Sequence, residues 1–520
     1  VFGLFRSLRH VTRLVGIGVI LARHDALFLF TPIAGPMRLF WVLRMFRRRG
    51  GALRPGQRLA AAFQEIGPAF IKLGQSLATR ADLLGDDVAA DLALLQDRVP
   101  PFPIEQARAL IETEFGCPLD TLFRAFADEP VAAASIAQVH FAVTSEGREV
   151  AVKILRPGIA DAFARDLDLL LWLGGLIERT RPAFRRLKPV EIARTLQKSV
   201  EIEIDLRFEA AAASELAENF ADDPGFHVPR VDWRRTGRSV LTTDRIVGGI
   251  RVDDRTALVA AGHDIDALLQ KAAEAFFNQV FRDGFFHADL HPGNMFVEPD
   301  GAIAVVDFGI MGRLDRATRY FLADMLVGFL SGDYRRVAEV HFEAGYVPQG
   351  RSVDEFAQAC RSIGEPILGR PLAEISIARL LAQLFRVTEQ FEMETQPQLL
   401  LLQKTMVLVE GVGRQLDPEV NIWALARPPI EAWMRDNRGP EARLRQRIEN
   451  LVGALDALPD LLRSARKLVG TWAEEGVVLH AETLAAHAEH RWRALFWLIA
   501  PLWLSAIGLI AIAIALWLGR

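Results

Sequence analysis

The segment HADLHPGN, His287 to Asn294, is followed thirteen residues later by DFG, Asp307 to Gly309. Phosphoryl transfer needs a carboxylate that orients or deprotonates the nucleophile, and hard oxygen ligands for a divalent cation across the phosphates. Asp289 and Asn294 stand five residues apart, and GNMFVEPDGAIAVVDFG reads as a hairpin turned at Pro299-Asp300-Gly301. A hairpin of that length returns Asp307 to the pocket that Asp289 and Asn294 begin. Asp289 is expected to be the base, with Asn294 and Asp307 as metal ligands for Mg2+. An isolated H-x-D is a common polar turn, so the chemistry is read from the order of loop, hairpin and DFG.

Outward from this stretch, QVHFAV, the turn TSEGR and EVAVKIL alternate as an antiparallel hairpin, with Lys153 at the end of a strand beside Val150 and Val152. That lysine and the H-x-D-x-x-x-x-N spacing are those of protein kinases, where the lysine reaches the α and β phosphates of ATP. Ahead of it, AAASIAQV sets Ala132, Ala134, Ala137 and Val139 on the positions of G-x-G-x-x-G-x-V, with alanine at every glycine. Alanine does not readily take positive φ, so the loop should cradle phosphates differently and restrict the γ-phosphate. ATP is expected to meet Ala132, Ala133, Ala134, Ser135, Ile136, Ala137, Gln138, Val139, His140 and Lys153. Thr243 and Asp244, in LTTDRI, are expected at the strand and hinge beside adenine.

Two further motifs complete the pattern. KLGQ, with Lys72, Gly74 and Gln75, lies in a helical stretch ahead of the lobes, and Glu203 and Asp205 of an E-x-D segment precede Glu209-Ala210. Over residues 55 to 430 or so, the chain resembles the UbiB family of atypical kinase-like proteins, bacterial relatives of the ADCK proteins. The resemblance implies that K-x-G-Q helices lie over the active site and contact E-x-D. Lys72, Gln75, Glu203 and Asp205 would then be regulatory and would bar a protein substrate. Asp205 and Glu209 share a helical face, while Glu203 is offset from Asp205 by about 200°. Glu209 is therefore assigned to Lys153, which needs a carboxylate to hold it toward phosphate, and Glu203 with Asp205 to Lys72 or the metal. Asp289, Lys153 and Glu209 form the expected catalytic set. After DFG the chain enters a helical pattern almost at once, with no A-P-E, and Ala288 stands where many protein kinases carry arginine. A protein substrate in trans is not expected.

The 520 residues suffice for two or more packed units, and 51% hydrophobic with 24% charged residues at a mean hydropathy of +0.16 excludes wholesale disorder. Two cysteines, Cys117 and Cys360, exclude a disulfide framework or a four-thiolate metal site. Residues 1 to 50 hold nine arginines against Asp25, a charge of +8, which leaves −12 for the remainder. Nucleic acid is not an expected partner, and the basic end suits either an anionic membrane surface or a solvated helix. From Ala494 to Gly519 the chain has 26 uncharged residues. Such a length spans a bilayer, and Arg491 and Arg493 before it put the body on the cytoplasmic side by the positive-inside tendency.

The expected fold class is α+β, a bilobal protein-kinase-like fold, mostly helical, with an N-terminal helical extension and a C-terminal transmembrane helix. Its segments are a basic amphipathic N-terminus (1–54), the K-x-G-Q extension (55–125), an N-lobe (126–247) and a C-lobe (248–435). A helical juxtamembrane region (436–493) and the membrane helix (494–519) follow. The expected function is that of a membrane-anchored, Mg-ATP-binding kinase or ATPase at the bacterial inner membrane. The resemblance adds support of ubiquinone biosynthesis, with membrane lipids, polyprenyl-phenol precursors and ubiquinone-biosynthesis proteins as partners. Two rivals stay open. One is a small-molecule phosphotransferase of the aminoglycoside or choline type, whose loop HADLHPGN also resembles, and the other is a nucleotide-sensing scaffold without turnover.

Overall fold

The computed structural model describes residues 2–30, 53–78, 85–93, 100–134, 136–180, 188–366, 387–388, 390–393, 396–420 and 422–438. The chain divides into one compact unit, Val1–Met434, and a second, Arg435–Arg520, into which the description extends only to residue 438.

The N-terminal extension comprises α1 (Phe2–Arg23), α2 (Pro55–Ile66), α3 (Pro68–Ala78) and α4 (Asp86–Ala93). Pro55 and Pro68 open their helices, where a missing N–H costs nothing. Between α2 and α3, Gly67 takes φ 133°, a conformation closed to side-chain-bearing residues, and lets one helix follow the other without a loop. Leu59, Ala62, Phe63 and Ile66 fall at three- and four-residue spacing and are buried with Ala69, Phe70 and Ile71 of α3.

The small lobe is an antiparallel sheet of β1 (Phe123–Phe126), β2 (Ala132–Ala133), β3 (Ala137–Thr144), β4 (Glu149–Leu155) and, from further along the chain, β6 (Val240–Asp244). The order is β1-β3-β4-β6, with β2 on β3. Strand alternation gives β4 two faces. Val150, Val152 and Ile154 are fully buried against Ala107 and Ile111 of α5 (Ile104–Phe115), while Ala151, Lys153 and Leu155 point the opposite way. Three helices follow β4: α6 (Ile159–Thr180), α7 (Pro189–Glu203) and α8 (Leu206–Asn219). Asp205 caps α8 by accepting from the Arg207 N–H.

The large lobe holds the sheet β5-β10-β9-β7, formed by β5 (Phe226–His227), β7 (Ile250–Arg251), β9 (Met295–Val297) and β10 (Ile303–Val305). A separate pair joins β8 (Phe285–His287) to β11 (Met311–Arg313). Helices α9 (Ile265–Phe277), α10 (Arg316–Ser331), α11 (Tyr334–Glu343), α12 (Val353–Gly364), α13 (Pro397–Leu416) and α14 (Ile422–Arg438) complete it. The β9–β10 turn is Pro299-Asp300-Gly301, with Gly301 at φ 80° and the Asp300 carboxylate accepting from Ala302 N–H. After DFG, β11 pairs at once with β8 and Asp315 caps α10, so no extended activation segment intervenes.

The expected C-terminal transmembrane helix needs correction. Among the described residues no helix is long and apolar enough to cross a membrane, and 494–519 lies outside them. The two longest described helices, α1 and α6, are 22 residues each, but both are interrupted by charge: Arg6, Arg9 and Arg13 in one, Asp161, Arg165, Asp166 and Asp168 in the other. Those charges meet one another. Arg13 donates to both Asp166 oxygens at 3.0 and 3.1 Å, and the His10 ring stacks on Trp172 with centroids 5.4 Å apart. Ile17 and Leu21 of α1 join the main core. This part of the apolar stripe is buried on the protein itself, while Val11 and Val15 of the same helix stay exposed. The region 436–493 falls outside the described residues beyond 438.

Candidate active site

Lys153 projects from the inner face of β4, opposite Val139 of β3 and Leu241 of β6. Its ammonium donates to both oxygens of Glu209, at 2.7 and 2.9 Å, and to Asp307 Oδ1 at 2.8 Å. The carboxylate comes from α8, one turn after the Asp205 cap, so the cap fixes the helix start and the helix fixes Glu209. Burial alone would lower the lysine pKa, but Asp307 and Glu209 together outweigh it and raise it. Burial pushes Glu209 up to about 7, against the pull of Lys153. Lys153 holds the Asp307 carboxyl below the usual range, as does Lys72 more weakly. Asp307 has φ 66°, in the left-handed region that aspartate tolerates better than most residues, and its side chain is half exposed to the cleft.

The catalytic loop is built as a chain of short-range hydrogen bonds. His287 is fully buried, its N–H donates to Gln279, and its Nδ1 accepts from Asp289 N–H at 3.1 Å. Burial holds the His287 imidazole below its ordinary pKa, which suits an acceptor at Nδ1. Asn294 donates from Nδ2 to the Asp289 carbonyl at 3.2 Å, and its own carbonyl accepts from Val306 N–H, next to Asp307. Loop and DFG are therefore joined through backbone bonds. Because Nδ2 is turned to Asp289, the Asn294 Oδ1 is left as the acceptor for a cation. Together with the Asp307 carboxylate it would offer two hard oxygen donors, chemistry that fits a divalent metal. The metal would supply charge neutralisation there.

The covering elements are partly as expected. Lys72 of α3 forms an ion pair with Glu203 at the end of α7. Asp205 is not in that pair; its two oxygens are bound by the Arg207 guanidinium at 2.9 and 2.6 Å. Glu203 and Asp205 lie on either side of the break between α7 and α8, so one motif serves two cations. Gln75 lies on α3, with its side chain outside the described residues, as is Ser135.

The alanine loop is a tight turn between β2 and β3. Ala134 N–H donates to Ala137 O at 2.8 Å, and the Ala134 carbonyl accepts from Arg156 Nε at 3.0 Å. Arg156 also reaches Pro100 O at 2.8 Å, tying the turn to the strand end and the segment before α5. Ala132 and Ala133 pair with Val139 and Gln138. The structure does not bring the Gln138 and His140 side chains to the cleft. Both are buried on the opposite face of β3, where Gln138 bonds Phe102 and His140, and His140 faces the Ala127 carbonyl. Even-numbered β3 residues must share that face. Thr243 lies on the cleft side of β6, in register with Ala151, whereas the Asp244 carboxylate is held by Arg148 at 2.7 Å.

Two residues escaped the sequence reading. One is Arg156, the staple of the alanine turn. The other is Lys404 of α13, whose Nζ lies 2.8 Å from Asp289 Oδ1. A lysine in the run QLLLLQKTM has no spacing relation to the catalytic loop, so no local signal could have found it.

Residues 94–341 match the ABC1 atypical kinase-like domain, and residues 360–421, which include Lys404, match the UbiB helical domain. A probable protein kinase UbiB of Marinobacter nauticus is 44% identical over 446 residues, 84% of this chain and 81% of that relative. One from Pseudomonas putida is 44% identical over 437 residues, covering 83% and 80%, and one from Xanthomonas oryzae pv. oryzae is 42% identical over 487 residues, covering 90% and 86%. The solved complex of Rv3197 with erythromycin from Mycobacterium tuberculosis matches with TM-score 0.51 at 26% identity, covering 76% of this chain and 95% of that one. The kinase-like domain implies ATP with a divalent metal. Lys153, Glu209, Asp289, Asn294 and Asp307 all fall inside the matched domain, and the identity extends over more than four fifths of the sequence. This chain belongs to the UbiB family of atypical kinase-like proteins.

Proposed function

We propose that the chain is an Mg-ATP-dependent kinase or ATPase of the UbiB type that supports ubiquinone biosynthesis. The observation that carries this reading is the convergence of Lys153, Glu209 and Asp307 within 2.9 Å, beside the loop that presents Asp289. Lys153 is aimed at phosphate by Glu209. Asp289 lies at the end of a buried hydrogen-bonded loop and takes the proton of an attacking water or hydroxyl. Asn294 and Asp307 would hold Mg2+. The Lys72–Glu203 pair covers this side of the cleft and favours a small acceptor over a protein. Polyprenyl-phenol precursors partition into bilayers, which places the work at the cytoplasmic face of the bacterial inner membrane, beside its lipids and the ubiquinone-biosynthesis proteins. The relatives' shared name and the helical domain set an aminoglycoside-type phosphotransferase aside.

The test is phosphate release from Mg-ATP, with and without anionic liposomes and a phenolic quinone precursor. Release that rises with these additions and is lost in Asp289→Asn supports the reading. A protein that shows no Mg-dependent thermal shift with ATP or ADP refutes it.

A further inference from the structure

We propose that Lys404 is a catalytic residue, the cation that meets the phosphoryl group during transfer. The proposal rests on the kinase-like reading above and deepens it. The loop from Asp289 to Asn294 offers no cation of its own: Leu290 is buried, and His291 turns Nδ1 back to accept from Gly293 N–H. Lys153 directs its donors to Glu209 and Asp307. Charge developing on the transferred group would be met in part by the metal that Asn294 and Asp307 would hold, and the side chain placed to meet the rest is Lys404, which already touches Asp289.

The choice of residue points the same way. The chain contains 54 arginines and seven lysines, so a cation at any position is usually arginine. Yet three of the seven lysines, Lys72, Lys153 and Lys404, meet acids around this one cleft. Most surface struts are made by arginine, as between Arg313 and Glu215, with Lys188–Glu191 an exception. A compact ammonium on a flexible stem suits a contact that must be exchanged, where a rigid fork suits one that must stay. The Lys404 and Asp289 side chains are 44% and 28% exposed, so their pair is open to the cleft. An exposed pair is weak and gives way to phosphate, which carries more charge and more acceptors. The helix beneath is fixed: Leu402 and Thr405 are buried, and Thr405 bonds the Leu401 carbonyl. Only the lysine stem needs to move.

In transfer, the bond from the γ-phosphorus to the ADP bridging oxygen breaks as the bond from the acceptor oxygen forms. ADP leaves with the electron pair and the acceptor proton passes to Asp289. Lys404 keeps its proton and donates to the non-bridging oxygens, and its departure from Asp289 leaves that carboxylate open to receive the proton.

The experiment compares the parent, Lys404→Gln and Lys404→Arg. It measures Mg-dependent affinities for ADP and for a non-hydrolysable ATP analogue, and phosphate release under the conditions that stimulate the parent. In Lys404→Gln the ADP affinity is expected to hold within about twofold while the analogue weakens about tenfold, the size of one lost charge-assisted bond. The kcat should fall about 10²-fold, as for loss of one preorganised donor. Lys404→Arg should recover the analogue affinity in large part. A Gln variant with the parent's affinities and release overturns the proposal and leaves a structural strut. If Gln lowers Tm too far for assay, an Arg variant in which ADP and analogue weaken equally overturns it as well. A parent that binds neither nucleotide defeats the kinase-like reading itself, whereas an unaltered Gln variant of a nucleotide-binding parent defeats the Lys404 assignment alone.

Discussion

Glu209→Gln removes one charge from a group that is 8% exposed and bound twice to Lys153. Glutamine keeps the shape but offers one acceptor, and its amide N–H then faces the ammonium. A hydrogen bond to a charged partner contributes about 1.5–3 kcal/mol, and without it Lys153 is left to Asp307, the proposed metal ligand. ATP affinity should fall by about ten- to a hundredfold, since each 1.4 kcal/mol is a factor of ten. The fold should lose little, because a buried carboxylate that resists ionisation is replaced by a neutral isostere, and Tm should stay within about 4 °C. Glu209 also sets a pH dependence. Its folded value near 7 lies above the ordinary 4.5, so the native state holds more protons than the unfolded one between these values. The stability that Glu209 contributes is therefore full below about pH 4.5 and is lost as pH rises through about 7. Denaturant melts of the parent should show that decline and Glu209→Gln should flatten it, while isothermal titration reads the ATP affinity. An ATP affinity equal to the parent's in Glu209→Gln would refute the claim that this carboxylate aims Lys153.

Asp307→Asn should abolish most of the Mg-dependent thermal shift with ATP while the unliganded Tm changes little, because asparagine accepts the φ of 66° found there; an unchanged shift would remove Asp307 from the metal site. Ala134→Gly frees a turn closed by the Ala134–Ala137 bond and the Arg156 contact, at about 0.5–1 kcal/mol of stability. It should change ADP affinity and permit self-phosphorylation in cis, read by intact mass after incubation with Mg-ATP; no added phosphate and the parent's ADP affinity would make the turn a packing feature only. Phe63→Ala, at a ring 2% exposed between α2 and α3, should cost about 3–5 kcal/mol and loosen the helices that carry Lys72. Urea melts check the first part and faster amide exchange in α3 the second.

HADLHPGN, its hairpin and DFG could be read from sequence because each is held by neighbours in the chain: His287 by Asp289, Asn294 by Asp289, and the Gly301 turn by Asp300. The same is true of the β3–β4 hairpin, where an alternation of two puts Lys153 on one face whatever surrounds it. The assignment of Glu209 rested on one continuous helix, whereas the chain breaks between Glu203 and Asp205, and periodicity could not show that this break would hand Asp205 to Arg207. Gln138 and His140 were misplaced by treating a motif as a continuous surface, when every second strand residue must turn away from the cleft. Which elements meet across long separations was beyond local pattern. Lys404 reaches Asp289 across 115 residues, Arg13 reaches Asp166 across 153, and β5 leaves the small lobe to pair with β10. From its residues alone the basic α1 suits an anionic membrane surface or a solvated helix. Only the packing of the whole chain shows that Ile17 and Leu21 are buried and that acids from far along the chain stand opposite Arg9 and Arg13, because those partners are brought together by tertiary contacts alone.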